Sequence, residues 1–501
     1  MDTLKELLKI VNRKRLSKVD VFDKTFFNQN HTNLYLKLYE GLEKGIITND
    51  ETAADYIYGN ADKDAKFRKL KSRFKVKMQK TVLLLDTDEV FINPQSRAFY
   101  ECTLNNQIIE IIIKISGTTK LVYELVKENY AKAEQFKFYD ILKNYSYYLL
   151  SYYALSGNIK EFSKEQELYL KYIELAQKEQ YAKFLYFKAS IQFENQAPIT
   201  DALLDDVFKI LNEFKLLKTE LRNTEIEFFY YYLSLEYLQK SNKINELIDI
   251  CNDADNFMIM NPASFTNTRK VIILIYKLSA LLSAKKYEDG IQLIQNEAHL
   301  DLPENNFNWF LLKEIQFKLY LQHHDIEQAT NVYDEVLQNK SFKRQSERLI
   351  ERWKILYAYL VFMDYYLNKG AYKFSLAKFL NEVPVNSKDK SGFNFAIRML
   401  EVLFHAAKND FNLIFAKMDA LRSYRSRYLN DNTYKRNHLL LSLMLKAEKS
   451  GFNYKDLKNA DWYEIAELRK PNQYIIAEWE IIPYEVLWDI FVSFAQEKRT
   501  E

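Results

Sequence analysis

The stretch VIILIYKLSALLSAKKYEDGIQLI, residues 271–294, decides the fold of this chain. Its first half is almost wholly apolar and aromatic, which predicts a buried α-helix. A short polar break follows at Lys286, and beyond it apolar side chains recur every three or four residues, as on one face of an amphipathic helix. The stretch therefore predicts a hairpin of two helices.

The same order of helix, break and helix recurs from about residue 153 to residue 421. Successive breaks are 39 to 45 residues apart and fall at Gly157-Asn158, Pro198, Asn242, Lys286, Asp325, Gly370 and Asp410. A period of this length is typical of a solenoid of two-helix repeats, because the apolar stripe of one hairpin faces water until a neighbouring hairpin covers it. The sequence therefore predicts an all-α chain that forms an α-solenoid of seven or eight hairpins.

The composition favours helix nearly throughout. Among 501 residues, 48% are hydrophobic and 15% are aromatic, whereas Gly and Pro contribute only 9 and 7 residues. Cys102 and Cys251 lie in apolar helical stretches and are interpreted as reduced core thiols. The chain shows neither a secretory signal pattern nor an uninterrupted apolar run of about 18 residues, so we expect a soluble cytoplasmic protein with no membrane partner.

Charge is distributed unevenly along the chain. Residues 1–80 contain 18 Lys and Arg against 11 Asp and Glu, a net charge of +7, whereas the whole chain has a net charge of +3. We therefore predict three parts, a basic helical N-terminal domain over residues 1–95, helical repeats over residues 96–450 and a C-terminal cap over residues 451–501.

Capping residues place short helices in the N-terminal domain. We predict helices over residues 4–11, 31–43, 50–58 and 62–85, with Asn49 and Gly59 at the two ends of the third helix. Residues 98–130 contain five Ile within positions 108–113, which would also suit a strand. The flanks of this segment favour a buried helix that ends near Gly117, and we interpret the segment as the first hairpin of the repeats.

A basic amphipathic helix is predicted over residues 62–80. Phe67, Leu70, Phe74 and Met78 recur at spacings of three and four and form an apolar seam. The candidate site residues are the cations Lys66, Arg68, Lys69, Lys71, Arg73, Lys75, Lys77 and Lys80. Three interpretations stay open: a solvated face whose seam packs on the first hairpin, a docking site for an acidic protein, or a helix that contacts DNA or RNA phosphates.

Two aromatic runs, residues 145–153 (YSYYLLSYY) and 228–233 (FFYYYL), place rings on several sides of a helix. Such rings cannot all enter one core. Either they are shared between both neighbouring repeats, or some of them line a groove that binds a peptide.

A terminal repeat needs a cap, and the C-terminal segment has the pattern for one. Pro483 is predicted to start a helix whose apolar face is formed by Leu487, Ile490, Phe491 and Phe494. This helix either docks on the final hairpin or extends to a partner.

The breaks at residues 284–291 (AKKYEDGI), 324–329 (HDIEQA) and 369–372 (KGAY) resemble the helix-turn-helix junction of tetratricopeptide repeats (TPR). In that family a small residue and an aromatic residue surround the turn, and a small residue recurs in the second helix. The resemblance covers about 300 residues. It implies a right-handed TPR-like superhelix whose concave groove binds peptides or protein surfaces, and it implies no catalytic residue.

Motifs of catalysis are sparse in this sequence. Residues 82–90 (VLLLDTDEV) resemble the opening of haloacid-dehalogenase-like phosphatases, where Asp86 would be the nucleophile and Asp88 the acid/base, but the chain lacks the α/β context of that family. His323-His324-Asp325 falls on a repeat turn and is interpreted as polar surface. We therefore expect no cofactor and no metal.

The sequence thus predicts a non-enzymatic scaffold or adaptor that binds a protein or peptide in a TPR-like groove. The alternative is a nucleic-acid-binding regulator whose N-terminal helices, through residues 62–80, contact DNA or RNA while the repeats sense a peptide or protein.

Overall fold

The computed structural model describes residues 22, 33–59, 64–85, 93–194, 200–300, 302–369, 374–383, 392–429, 434–470, 477 and 479–497. These residues form 22 α-helices and two short 3₁₀ helices, with no strand among them, which confirms the all-α prediction for this part of the chain. The predicted helix over residues 4–11 and the predicted breaks at Pro198 and Gly370 lie outside the described residues.

The chain forms two compact units, Met1–Glu179 and Gln180–Glu501, and each is described separately. The division predicted from sequence at residues 95 and 450 stays a prediction. Unit 1 contains helices α1 (Leu34–Glu43), α2 (Asp50–Tyr58), α3 (Asp64–Val82), α4 (Pro94–Ser116), α5 (Lys120–Gln135) and α6 (Tyr139–Leu155), and α7 (Ile159–Glu194) runs from unit 1 into unit 2.

Local capping explains the limits of α2. The Asn49 side chain accepts from the backbone N–H of Thr52 at 2.8 Å, and the Thr52 hydroxyl accepts from the Asn49 N–H at 3.0 Å, so two unpaired donors of the first turn are satisfied. Gly59 ends the helix with a φ of 67°, a backbone conformation that glycine adopts readily. The predicted helix over residues 50–58 is therefore confirmed at both ends.

The Ile-rich segment of unit 1 is helical. It lies within α4, which begins at Pro94 and ends at the cap residue Gly117, as the flanks of the segment indicated. Helix α4 packs against α5, and α5 packs against α6, so the segment forms the predicted helical hairpin rather than a strand.

The apolar seam of the basic helix packs inside the N-terminal part of unit 1. Phe67, Leu70 and Phe74 of α3 are each 8% exposed or less and belong to one core with Phe22 and with buried residues of α1 and α2. Met78 stays 36% exposed. The seam therefore joins α3 to its own neighbours along the chain, which leaves the cationic faces of the helix toward solvent.

Unit 2 contains fifteen further described helices, and each hairpin in it is built from consecutive helices. They are α8 (Asp201–Leu221), α9 (Thr224–Lys240), α10 (Ile244–Met260), α11 (Asn267–Ser283), α12 (Tyr287–Asn296), α13 (Phe307–Gln322), α14 (Ile326–Gln338), α15 (Glu347–Asn368), α16 (Leu376–Glu382), α17 (Phe393–Ala407), α18 (Phe411–Tyr428), α19 (Lys435–Lys449), α20 (Tyr454–Lys458), α21 (Tyr463–Arg469) and α22 (Tyr484–Glu497). Helix α11 packs against α10, α12 and α13, and α15 packs against both α14 and α17. Helices that start a hairpin thus have neighbours on two sides.

One turn recurs at the hairpin junctions. After α13, Asp325 N–H donates to the Tyr320 carbonyl at 2.9 Å and His324 N–H donates to the Leu321 carbonyl at 3.2 Å, which is the Schellman pattern of a helix end. The same pair of bonds follows α5, α6, α9, α11, α17 and α19. The breaks predicted at Gly157-Asn158, Asn242, Lys286, Asp325 and Asp410 are therefore confirmed.

The Schellman turn requires a residue with positive φ, and in most of these junctions that residue is not glycine. In five of these seven junctions the residue that donates to the third carbonyl before it is Lys137, Asn242, Lys285, His324 or Asn409, with φ between 56° and 65°. A side chain at such a φ is sterically unfavourable by roughly 1–2 kcal/mol. The packing of the two helices on either side holds the turn in this conformation.

Helix α7 departs from the repeat pattern because it has 36 residues without a break. The sequence predicted a second helix after Gly157 and then a separate first helix of the next hairpin. Residues 172–187 (YIELAQKEQYAKFLYF) contain no Gly, Pro or other turn-forming residue, so nothing interrupts the helix there. The boundary between the two units falls inside this helix.

The C-terminal segment, described at residues 477 and 479–497, lies across the helices that start four hairpins. The Gln322 side chain of α13 donates to the Ile481 carbonyl at 2.8 Å. Tyr484 packs edge-on against Phe395 of α17 with ring centroids 5.5 Å apart, and its hydroxyl donates to Asn437 of α19 at 3.1 Å. The segment therefore reaches far beyond the final hairpin.

Helix α22 has the apolar face that the sequence predicted. Leu487, Ile490, Phe491 and Phe494 are each 3% exposed or less, and the helix packs against α17, α19, α20 and α21. Phe494 also meets Phe362 of α15 edge-on at 6.3 Å. Contact with so many helices makes α22 part of the core of unit 2 and not an extension from it.

Glycine at the positive-φ position of a turn should stabilise unit 2. We expect His324→Gly to raise the free energy of unfolding by roughly 0.5–1 kcal/mol, because glycine has no Cβ to clash at a φ of 65°. His323→Gly is the matched control, since His323 has a φ of −83° and the change should lower stability by a similar amount. Urea unfolding followed by circular dichroism measures both, and effects of the same sign would contradict the role of the turn.

Loss of a buried ring of α22 should destabilise unit 2 strongly. We expect Phe491→Ala to lower the free energy of unfolding by about 3–5 kcal/mol, because the ring is 0% exposed and its removal leaves a cavity. Asp489→Ala, on the same helix, removes only an exposed ion pair with Arg469 and should change stability by less than about 1 kcal/mol. Equal effects of the two changes in chemical denaturation would show that α22 is not part of the core.

Candidate functional site

A cavity of 440 Å³ lies among helices that start hairpins in unit 2. Its walls come mainly from α9, α11 and α13, and Arg352 of α15 and Ala477 of the C-terminal segment close one side. The side chains that line it include Phe193, Tyr232, Glu236, Gln239, Lys240, Tyr276, Ser279, Asn308, Glu314, Lys318 and Arg352. The cavity therefore lies beside the region that the C-terminal segment covers.

Three charged side chains form a buried network at the wall of this cavity. Glu314 and Lys318 are each 4% exposed and lie four residues apart on α13, with Lys318 Nζ 2.6 Å from Glu314 Oε1. Arg352 Nη2 of α15 donates to the same oxygen at 2.6 Å, and its guanidinium lies 5.0 Å from the ring centre of Phe393. Two cations thus share one carboxylate, so the charge of Glu314 offsets the free-energy cost of burying Lys318 and Arg352.

The lining of the cavity also contains a second polar pair. The Tyr276 hydroxyl of α11 donates to the carboxylate of Glu236 on α9. Burial, followed by the nearby carboxylate, raises the pKa of Tyr276 well above its ordinary value, so the phenol keeps its proton and stays a donor. Lys240, one turn further along α9, is exposed at the rim.

Sequence reasoning did not single out the charged lining of this cavity. Glu314 and Lys318 stand four residues apart in the largely apolar and aromatic helix FNWFLLKEIQFKLYLQ, residues 307–322, and this spacing was the available signal. Their partner Arg352 is 38 residues from Glu314 along the chain, and no local pattern connects them. The network could therefore be suspected from the sequence but not assembled from it.

The aromatic run on α9 is shared between neighbours, as the first interpretation predicted. Its rings contact helices on both sides, and the pairs are Tyr186–Phe229, Phe214–Tyr230, Tyr231–Phe257 and Tyr232–Tyr276, with centroids 4.3, 6.4, 5.7 and 6.0 Å apart. The partners belong to α7, α8, α10 and α11 respectively. Tyr232 in addition lines the cavity, so one ring of the run is available there.

The aromatic run on α6 behaves in the same way. Tyr145 is fully buried, and its hydroxyl donates to the Cys102 carbonyl of α4 at 3.0 Å. Tyr152 stacks on Tyr123 of α5 at 4.8 Å, whereas Tyr147 faces α7 through Tyr169 at 6.1 Å. Sharing between neighbouring helices is therefore confirmed for both runs.

The basic helix α3 presents its cations to solvent. The exposed ones are Lys66, Arg68, Lys69, Lys71, Arg73, Lys75 and Lys80. Lys77 is half-buried, with its ammonium 4.6 Å from the ring centre of Phe22 and 5.5 Å from that of Tyr35. Lys71 pairs with Asp50 of α2 at 2.6 Å. What these side chains bind stays a prediction.

The other residues considered for chemistry have structural surroundings. Cys102 and Cys251 are free and buried, and burial raises the pKa of the Cys102 thiol to about 11, so both fit the interpretation as core thiols. His323 and His324 are exposed on the turn after α13.

Asp86 and Asp88 lie outside the described residues. Among the residues that the structure describes, no group of three or more His, Cys, Asp and Glu could hold a metal ion.

Neither a protein-family model, nor a curated protein, nor a solved structure matches this chain. The described residues define its class as all-α, with consecutive helices paired in hairpins. None of the helices in the described ranges combines the length and the apolar composition that crossing a bilayer requires.

Removal of the charge of Glu314 should destabilise unit 2. We expect Glu314→Gln to lower the free energy of unfolding by roughly 3–5 kcal/mol, because Lys318 and Arg352 then lose their buried counter-charge. Glu335→Gln is the matched control, since Glu335 pairs with Lys313 at 2.8 Å but is 52% exposed. A control that costs as much as Glu314→Gln in thermal or urea unfolding would contradict the importance of burial.

Proposed function

We propose that this chain is a non-enzymatic, cytoplasmic scaffold or adaptor that forms a right-handed TPR-like superhelix and binds a protein or peptide. The observation that supports this best is the cavity among α9, α11 and α13, because it opens on the helices that would line the groove of such a superhelix. The recurring turns and the rings shared between hairpins support the repeat architecture.

The lining of the cavity suits a polypeptide. Small-molecule pockets are mostly apolar with few polar groups. This cavity instead combines apolar side chains with Lys240 at its rim, the amide of Asn308 and the ion-paired Glu314 and Arg352. A peptide supplies backbone donors and acceptors together with charged side chains, so it can match groups of both signs at once. Tyr232 adds a ring of the kind that anchors peptides.

The cysteines support the cellular compartment in the proposal. Cys102 and Cys251 are both unpaired and fully buried. Proteins of oxidising compartments use cysteines mainly as disulfides, whereas cytosolic chains keep them as thiols. Two core thiols are therefore typical of a chain that folds in a reducing environment.

A bulky side chain in the cavity should strongly reduce partner capture. Ser279 of α11 is half-buried and lines the cavity, so Ser279→Trp places an indole in the space that the partner would occupy. We expect affinity capture from cells of the source organism to return a stoichiometric protein with the wild-type chain, and at least roughly tenfold less of it with Ser279→Trp, a loss of about 1.4 kcal/mol in binding.

The matched control for this experiment is Ser423→Trp, since Ser423 is exposed on α18 and does not line the cavity. The control should retain the partner at the wild-type level. Circular dichroism and thermal unfolding of both variants separate a blocked site from a misfolded chain. Equal retention by both folded variants, or no retained protein with the wild type, would contradict the proposal.

A further inference from the structure

A cationic stripe runs along one side of α3. Lys66, Lys69, Arg73, Lys77 and Lys80 follow one another at spacings of three, four, four and three residues. At about 100° per residue these positions fall within a sector of about 80°, and the stripe is about 21 Å long. We call these five residues the α3 stripe.

Most of the α3 stripe has no counter-charge within the described part of the chain. No carboxylate in the described ranges pairs with Lys66, Lys69, Arg73 or Lys80, and all four are exposed. Lys77 lies over the rings of Phe22 and Tyr35, so its ammonium is held at the edge of the stripe. Uncompensated cations at this density attract a polyanion.

The seam of α3 fixes where the stripe points. Phe67, Leu70 and Phe74 are buried against α1, α2 and Phe22, so α3 cannot turn the stripe inward without exposing this core. The ion pair of Lys71 with Asp50 lies on the other side of the seam from the stripe. The fold therefore presents the stripe to solvent as a rigid row.

We propose that the α3 stripe binds the phosphate backbone of a nucleic acid duplex. Each strand of DNA carries one phosphate for about every 3.4 Å of the duplex axis, so a stripe of about 21 Å lies beside a dense row of negative charge. The four exposed cations of the stripe, Lys66, Lys69, Arg73 and Lys80, suit such a row, since each of them can approach a phosphate.

The chemistry of the stripe favours a nucleic acid over an acidic protein. The core of a protein interface is apolar and is anchored by buried aromatic or aliphatic side chains. From Lys66 to Lys80 no apolar residue falls within the sector of the stripe; Val76 and the buried Leu70 lie about 20° beyond its two edges. A surface without anchors binds through charge alone, which is how non-specific nucleic-acid contacts work.

The test measures binding of the full chain to a fluorescently labelled 20-base-pair DNA duplex by anisotropy at several salt concentrations. The stripe variant is Lys69→Gln, Arg73→Gln and Lys80→Gln together. We expect its affinity at 0.1 M salt to fall roughly a hundredfold, and the slope of log K against log salt to decrease by about 2.7, because three phosphate contacts are lost.

The matched control removes the same charges from the other side of α3, with Arg68→Gln, Lys71→Gln and Lys75→Gln together. All three residues are exposed, and this variant also loses two Lys and one Arg. The slope of log K against log salt of this control should differ from that of the wild type by less than about one, and its affinity should fall less than tenfold. Circular dichroism confirms that both variants keep their helices.

Equal losses in the two triple variants would show that net charge alone governs binding and would overturn the proposal. So would the absence of duplex binding by the wild type, or a wild-type chain that binds poly-L-glutamate more tightly than the duplex, which would identify an acidic protein as the occupant. Capture of a protein through the cavity of unit 2 is independent of these outcomes, since that site contains no residue of α3.

Discussion

Burial on two sides is the constraint on which the rest of unit 2 depends. A helix that starts a hairpin packs against its own partner and also against the neighbouring hairpins, as α11 does with α10, α12 and α13. Such a helix needs apolar or aromatic side chains on more than one face, and the ring pairs around α9 show how this need is met. A buried polar side chain in such a helix must form its hydrogen bonds or ion pairs with other buried side chains. Glu314 pairs with both Lys318 and Arg352 in this way. All three side chains lie in the wall of the cavity.

Local patterns in the sequence predicted the local structure well. The ends of α2, the positions of five hairpin breaks and the buried face of α22 all follow from residues within a few positions of one another, because capping and amphipathicity act over one or two turns. The sharing of the two aromatic runs could be inferred for the same reason, since rings on every side of a helix require neighbours on every side.

Features that depend on distant residues were not predictable from the sequence. The path of the C-terminal segment rests on contacts such as Gln322 with Ile481, which are 159 residues apart. The sequence of α7 was compatible with two consecutive helices or with one long helix. Only the absence of Gly, Pro and other turn-forming residues favoured the single helix. The partner of Glu314 comes from another hairpin. In each case the missing information was which helices become neighbours, and local pattern does not contain it.

The path of the C-terminal segment has a consequence for biosynthesis. The ribosome synthesises α13, α15, α17 and α19 before residues 479–497. During translation these helices therefore lack the C-terminal segment that packs across them in the folded protein. Closing a contact over 159 residues also carries a large loop-closure entropy, which makes it a late step. The nascent hairpins therefore expose apolar surface until α22 has left the exit tunnel, and this interval is when unit 2 is most open to chaperones and to aggregation.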